Sequence, residues 1–229
     1  MCFSPEADVI AGVVVGAVGI DALRRVDDRR YLALAAVPLV LAAHLLVEAV
    51  AWWGLEGSVS PAAGDLAVSV YLIIALGVVP VLVPYAVMRS ESDSQRRKRM
   101  VPLVAVGIGV SIVLLFGMAT NPHGATIGGR YLAYHTVDPG DGLTAGFYVV
   151  AVCAPFLMSS HRRLVIFGVA NVVAFILLSV LMSRGLISLW CFWAAVSSVV
   201  IAQHIRETST TLPSRTMRSR DILGRLGRT

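Results

Sequence analysis

At 229 residues, 57% hydrophobic and only 14% charged, with a mean hydropathy of +0.78, the chain is too apolar for a soluble domain, where about 25% of residues are charged. The composition calls for a polytopic membrane protein, all-α in fold class. The net charge of +5 is not a nucleic-acid signal, because the basic residues fall in one set of connections between apolar runs.

A hydrocarbon core of ~30 Å needs about 20 apolar residues to cross it. Seven such runs are predicted, over Ala7–Ala22, Tyr31–Gly54, Leu66–Met88, Val101–Met118, Leu143–Met158, Leu164–Met182 and Leu186–Ala202. Residues 1–206 then form a seven-helix transmembrane bundle, and residues 207–229 a basic tail, disordered against anionic lipid. The first run has no basic region before it and no small-residue cleavage site, so it reads as a retained helix and not a signal peptide. Its Gly12 and Gly16 form a G-x-x-x-G pair that lets a neighbouring helix approach closely.

The second run contains AHLLVEAVAWW, which sets His44, Glu48 and Trp52 on one face of a helix. A central charge facing lipid costs about 2.5–3.5 kcal/mol on insertion scales, so this face is predicted to turn inward and meet partners from other helices. The third run carries Pro80 and Pro84, which loosen its backbone. Between the fourth and fifth runs lies the segment 120–142, with His123, Arg130, Tyr131, Tyr134, His135 and Asp138. A connection of that length without evident structure suggests a lid or binding element. Cys153, in the middle of the fifth run, reads as a small core residue. The seventh run carries Trp190, Cys191 and Trp193.

Of the 19 Lys and Arg residues, all but Arg130 and Arg184 lie in the connections after runs 1, 3 and 5 or in the tail. The positive-inside rule then puts the N-terminus outside and the C-terminus in the cytoplasm. His44 falls near mid-membrane, Glu48 in the outer half, and Trp52 and Trp53 at the outer interface. Cys2, the 120–142 segment, Trp190 and Trp193 fall on that same side. An outward-opening polar chamber is expected, with Trp52, Trp53, Tyr134, Trp190 and Trp193 as its ligand-binding walls and His44 and Glu48 as its catalytic pair.

Cys2, His44, Glu48 and His135 would offer sulfur, nitrogen and oxygen donors suited to zinc, copper or iron. The bland alternatives are that His44 and Glu48 only join helices, that Trp52 and Trp53 anchor the interface, and that Cys2 packs there or pairs with Cys191. A retinal Schiff base is excluded, since the single lysine, Lys98, lies in a cytoplasmic connection. A carboxylic acid among tryptophans imitates membrane terpene cyclases, but the last three runs hold no second acid. Below His44 the runs offer little beyond Asn171, Ser179 and Ser198, which favours an outward pocket over a through-going channel.

MCFSPEADVIAG, AAHLLVEAVAWWGL, YLAYHT and SLWCFWAAVSS together resemble an actinobacterial membrane-protein family whose members begin Met-Cys-Phe-Ser. The resemblance spans most of the seven runs but not the tail. It implies a seven-helix inner-membrane protein, draws attention to Cys2, His44, Glu48, Trp53, His135 and Cys191, and carries no activity with it. The expected role is metal binding, or metal- or acid-assisted chemistry on a small or lipidic ligand. The alternative is a non-catalytic ligand-binding or proton-linked transport protein.

Overall fold

The computed structural model describes residues 4–129, 131–136, 142–181 and 186–207, and in the last range not the side chains of residues 186, 187, 190, 191, 196 and 197. The described residues are mostly helical. Helix α1 (Pro5–Arg24) starts on a Ser4 cap whose hydroxyl accepts from the Ala7 amide, with Pro5 at the first helical position. A 3-10 turn capped by Asp28 feeds α2 (Leu32–Leu55). Helix α3 (Pro61–Ser90) follows a Ser60 cap, and Asp93 caps α4 (Ser94–Thr120). Then come α5 (Leu143–Met158), α6 (Arg162–Leu181) and α7 (Leu186–Ser197), with helix resuming over 199–207.

Four of these stretches, Arg29–Leu55, Pro61–Ser90, Ser94–Thr120 and Arg162–Leu181, are long and apolar enough to cross a membrane. Their large side chains are heavily exposed in places, as at Phe116 (67%) and Val180 (78%). Such faces suit hydrocarbon and not water, and mark a membrane protein.

Helices α1 and α2 pack antiparallel at close range. A Cβ on Gly12 would lie 2.9 Å from the Leu46 side chain, one on Gly16 3.5 Å from the Ala42 Cβ, and one on Gly19 2.9 Å from Leu39. The G-x-x-x-G pair thus meets α2, and the register brings the first turns of α1 level with Glu48.

Inside α3 the backbone widens into a π-helical segment, Ile73–Val78, just before Pro80. Proline has no amide hydrogen, so its helix must leave a carbonyl without its usual donor. Side chains from two other helices donate to carbonyls of this segment: the Tyr148 hydroxyl to that of Ala75 (2.7 Å) and the Ser111 hydroxyl to that of Gly77 (2.7 Å).

The ends of α1, α3, α5 and α7 gather at one pole. Glu91 accepts from the Ser160 hydroxyl (2.6 Å) and amide (2.8 Å), Arg206 pairs with Asp21 (2.7 Å), and Arg163 pairs with Glu207. Tyr31 and His161 flank the ring of His204.

The helical expectation holds in the main, but that of a 120–142 segment without structure needs correction. Strands β1 (Gly124–Ile127) and β2 (Leu132–His135) pair antiparallel at the opposite pole, with Ala125 opposite Tyr134. The Gly128 amide donates to the Tyr131 carbonyl, and Gly129 takes φ +89, a left-handed value that glycine adopts without strain. The Gly-Gly turn and the aromatic YLAYH run are hairpin signals.

Candidate functional site

Helix α2 carries His44, Glu48 and Trp52 inward, and all are buried, the first two completely. At ~1.5 Å per residue, Glu48 lies roughly 10 Å below the Leu55 end of the helix and His44 roughly 16 Å. The sequence placed these three on one face, and they share it.

The partners come from four other elements. Tyr71, fully buried on α3, lies flat against His44, with ring centroids 3.8 Å apart and planes 18° apart. Tyr134 of β2 stacks on the other side of Tyr71 at 4.2 Å and 4°. The three rings form a column from the hairpin into the membrane interior. The Tyr134 hydroxyl donates to Glu48 Oε1 across a long 3.5 Å. The hydroxyls of Ser188 on α7 and of Tyr71 complete the polar shell of Glu48, and the Asp8 carboxyl of α1 is near enough to interact with it electrostatically.

Asp8 is completely buried. Neither ring nitrogen of His44 has a hydrogen-bond partner among the described residues, nor has the Trp52 indole nitrogen.

Leu132 and Ala133 seat the hairpin over this cluster, Leu132 being fully buried against the group that holds Trp52, Val68 and Tyr71. Beside the hairpin root, a groove of about 500 Å³ opens between the α2–α3 turn and β1, lined by Gly54, Asp65, Val68, Ser69 and His123. His123 Nε2 lies 3.1 Å from the Ser69 hydroxyl. Here α2 and α3 nearly touch: a Cβ on Gly54 would fall 2.3 Å from the Gly64 Cα.

Some sequence candidates do not meet the pair. His135 is exposed, with Nε2 2.8 Å from the Thr126 hydroxyl. Successive strand side chains point to opposite faces, so seating Tyr134 inward turns His135 outward. Trp193 is 41% exposed and Trp53 half-buried, so neither closes a wall as Trp52 does. Cys2, Arg130 and Asp138 lie outside the described residues, as do the side chains of Trp190 and Cys191. The four expected donors are not seen together, and among the described residues no three His, Cys, Asp or Glu side chains group as a metal site would require.

Asp8, Tyr71 and Ser188 were missed in the sequence. Asp8 was hidden by its place in a first helical turn, where an acid is ordinary. The Gly12/Gly16/Gly19 stripe could have revealed it, because an antiparallel partner in register with that stripe sets residue 8 near residue 48.

Toward the other pole the polar groups are spent locally. Asn171 donates to the Phe167 carbonyl and Ser198 to that of Ala195. A small cavity of about 30 Å³ beside Asn171 is lined almost wholly by apolar groups such as Val37, Leu41 and Phe156.

A model described as a family of unknown function, DUF6629, matches residues 1–216. The chain belongs to that family. No curated protein and no solved structure matches it. In this DUF6629 member, the matched span takes in every residue of the aromatic column and the buried acids beneath it.

Proposed function

We propose that this DUF6629 protein crosses a bacterial inner membrane seven times, N-terminus outside, and holds near its outer face a hairpin-covered acid site. Glu48 there takes up and releases a proton while binding or acting on a small or lipidic ligand. The observation that carries the reading is the complete burial of Glu48 beside Asp8, with His44 on the same face and Tyr134 above. Two carboxyl groups in one dry compartment do not both bear charge without a compensating cation. A proton is the simplest occupant, and the long contact to Tyr134 leaves the cover weakly held.

Support for an outward pocket over a channel comes from the lower half of the bundle, where the cavity beside Asn171 is lined almost wholly by apolar groups and Asn171 and Ser198 bond within their own helices. Infrared titration of the full chain in nanodiscs tests the proposal. The carbonyl band of a protonated carboxylic acid should be present at neutral pH and disappear in Glu48→Gln. A parent protein without that band, or a variant that keeps it unchanged, overturns the proton-carrying role.

The unpartnered nitrogens of His44 favour a second reading, in which His44 and Glu48 hold a transition metal with a donor from outside the described residues, such as Cys2. Elemental analysis of the purified protein decides it: stoichiometric zinc, copper or iron that is lost in His44→Ala supports the metal site, and a metal-free parent removes it.

A further inference from the structure

Tyr134 is the one member of the aromatic column that the chain delivers from a hairpin rather than from a helix. Its side chain therefore reports what the slot above Tyr71 accepts. The slot holds a flat six-membered ring parallel to Tyr71 at 4.2 Å and 4°. It directs the ring's hydroxyl toward Glu48. Its far wall is continued by His44, itself stacked on Tyr71.

The geometry points to a ligand with a planar hydroxy-aromatic ring, a phenol or quinol headgroup, that displaces Tyr134, stacks on Tyr71 and donates its hydroxyl to Glu48. This inference deepens the acid-site reading and rests on it for the role of Glu48.

Three features make the exchange physically reasonable. The internal contact is weak, since 3.5 Å is long for a hydroxyl donor, whose usual distance to oxygen is about 2.7–2.8 Å. A free ligand is not held by a backbone and can shorten it. The cover is small, two strands of four residues each, seated chiefly by Leu132. Open space adjoins the cover: the groove of about 500 Å³ beside the hairpin root shares Val68 with the cluster that contains Tyr71 and Trp52. Stacking supplies affinity, and the hydroxyl to Glu48 supplies selectivity, because an aryl ether of the same shape leaves the buried carboxyl one donor short.

The source of the ring is either the membrane, as a quinol with an isoprenoid tail, or the aqueous phase, as a free phenol. Both present the same chemistry to the site.

The test uses the full chain in nanodiscs with three probes: a benzoquinol bearing one isoprenoid unit, its dimethyl ether, and tail-free hydroquinone. The quinol should bind, and the ether should bind at least about tenfold more weakly, the factor that loss of one hydrogen bond to a buried carboxyl implies. Tyr134→Ala should tighten quinol binding because the internal competitor is gone. Should that variant not fold, Tyr134→Phe should tighten it to a lesser degree, since only the competing hydroxyl is removed.

Hydrogen exchange in the wild-type hairpin, residues 124–135, should rise when quinol binds. After correction for partition into lipid, tighter binding of the tailed probe assigns the membrane as source, and equal affinity assigns the aqueous phenol. Equal affinity for quinol and ether, no binding by any probe, or hairpin exchange that falls or stays constant on quinol addition overturns the inference. The infrared band of Glu48 reads separately: a protonated Glu48 with no quinol binding sinks this inference alone, and quinol binding to an ionised Glu48 sinks the proton-carrying role alone.

Discussion

The hydroxyl of Tyr134 donates to Glu48 across 3.5 Å, and this single contact joins the hairpin to the deepest acid of α2. The residues are 86 positions apart in the chain, and the contact exists only because the parallel ring of Tyr71 carries Tyr134 at that height. The hairpin is therefore both the cover of the site and part of its lining.

Tyr71 should be the most sensitive member of the column. It is fully buried and stacked on both faces, so Tyr71→Ala leaves a ring-sized void and should cost about 3 kcal/mol or more. Tyr71→Phe keeps both stacks and should retain most of that stability. Thermal unfolding of the two variants in the same detergent checks the order, and equal melting temperatures would show that the column does not hold the helices together.

The π-helical segment of α3 relies on donors from its neighbours. Ser111→Ala removes the hydroxyl at the Gly77 carbonyl and Tyr148→Phe the one at the Ala75 carbonyl. Each should cost on the order of 1 kcal/mol, the usual worth of an interhelical hydrogen bond in a membrane. Chemical unfolding of the single and double variants measures it. The hydroxyls act on different carbonyls, so their losses should add, and a double variant as stable as the parent would mean that the carbonyls find other donors.

Acid should loosen the pole opposite the hairpin in two steps. Burial, with smaller electrostatic contributions from His161 and Arg163, pushes His204 down from 6.5 to about 4. As pH falls through 6.5, the unfolded chain takes a proton there that the folded chain refuses, so stability drops by up to about 3 kcal/mol by pH 4. Burial works to raise Glu91, but hydrogen bonds from the Ser160 hydroxyl and amide and from the Asp93 amide outweigh it and lower the carboxyl below its ordinary 4.5. Its contribution is full above that value and is lost as pH falls through the lower folded one. Melting curves at stepped pH should show the first loss vanish in His204→Phe and the second in Glu91→Gln.

Orientation can be read with fusions. A reporter active only in the cytoplasm should work when fused after Arg228 and fail when inserted near Gly124. The reverse pattern would turn the molecule over and place the acid site on the cytoplasmic side.

Much of the helical layout was legible, because burial in lipid leaves a long apolar run few alternatives. The run Leu143–Met158 coincides with α5, and Tyr31–Gly54 lies within one residue of α2 at either end. Other boundaries moved where capping chemistry acts outside the apolar run: α4 begins at Ser94, seven residues before the predicted run, because Asp93 caps it in a charged segment. His44, Glu48 and Trp52 were legible as a buried face from spacing alone. The long connection was read as a lid, yet its hairpin was not foreseen: four-residue strands give little periodic signal, and the Gly128-Gly129 turn, which does mark a hairpin, was passed over.

The sequence by itself determined the medium, the helices and the face of α2 that turns inward, since hydropathy and the 3.6-residue period are local properties of the chain. Only the tertiary structure decided what that face meets. Asp8, Tyr71, Tyr134 and Ser188 come from four separate elements, and the alternation of β2 chose Tyr134 over His135 for the interior. Such choices depend on register and on the close approach of helices, and neither is written in the spacing of any single segment.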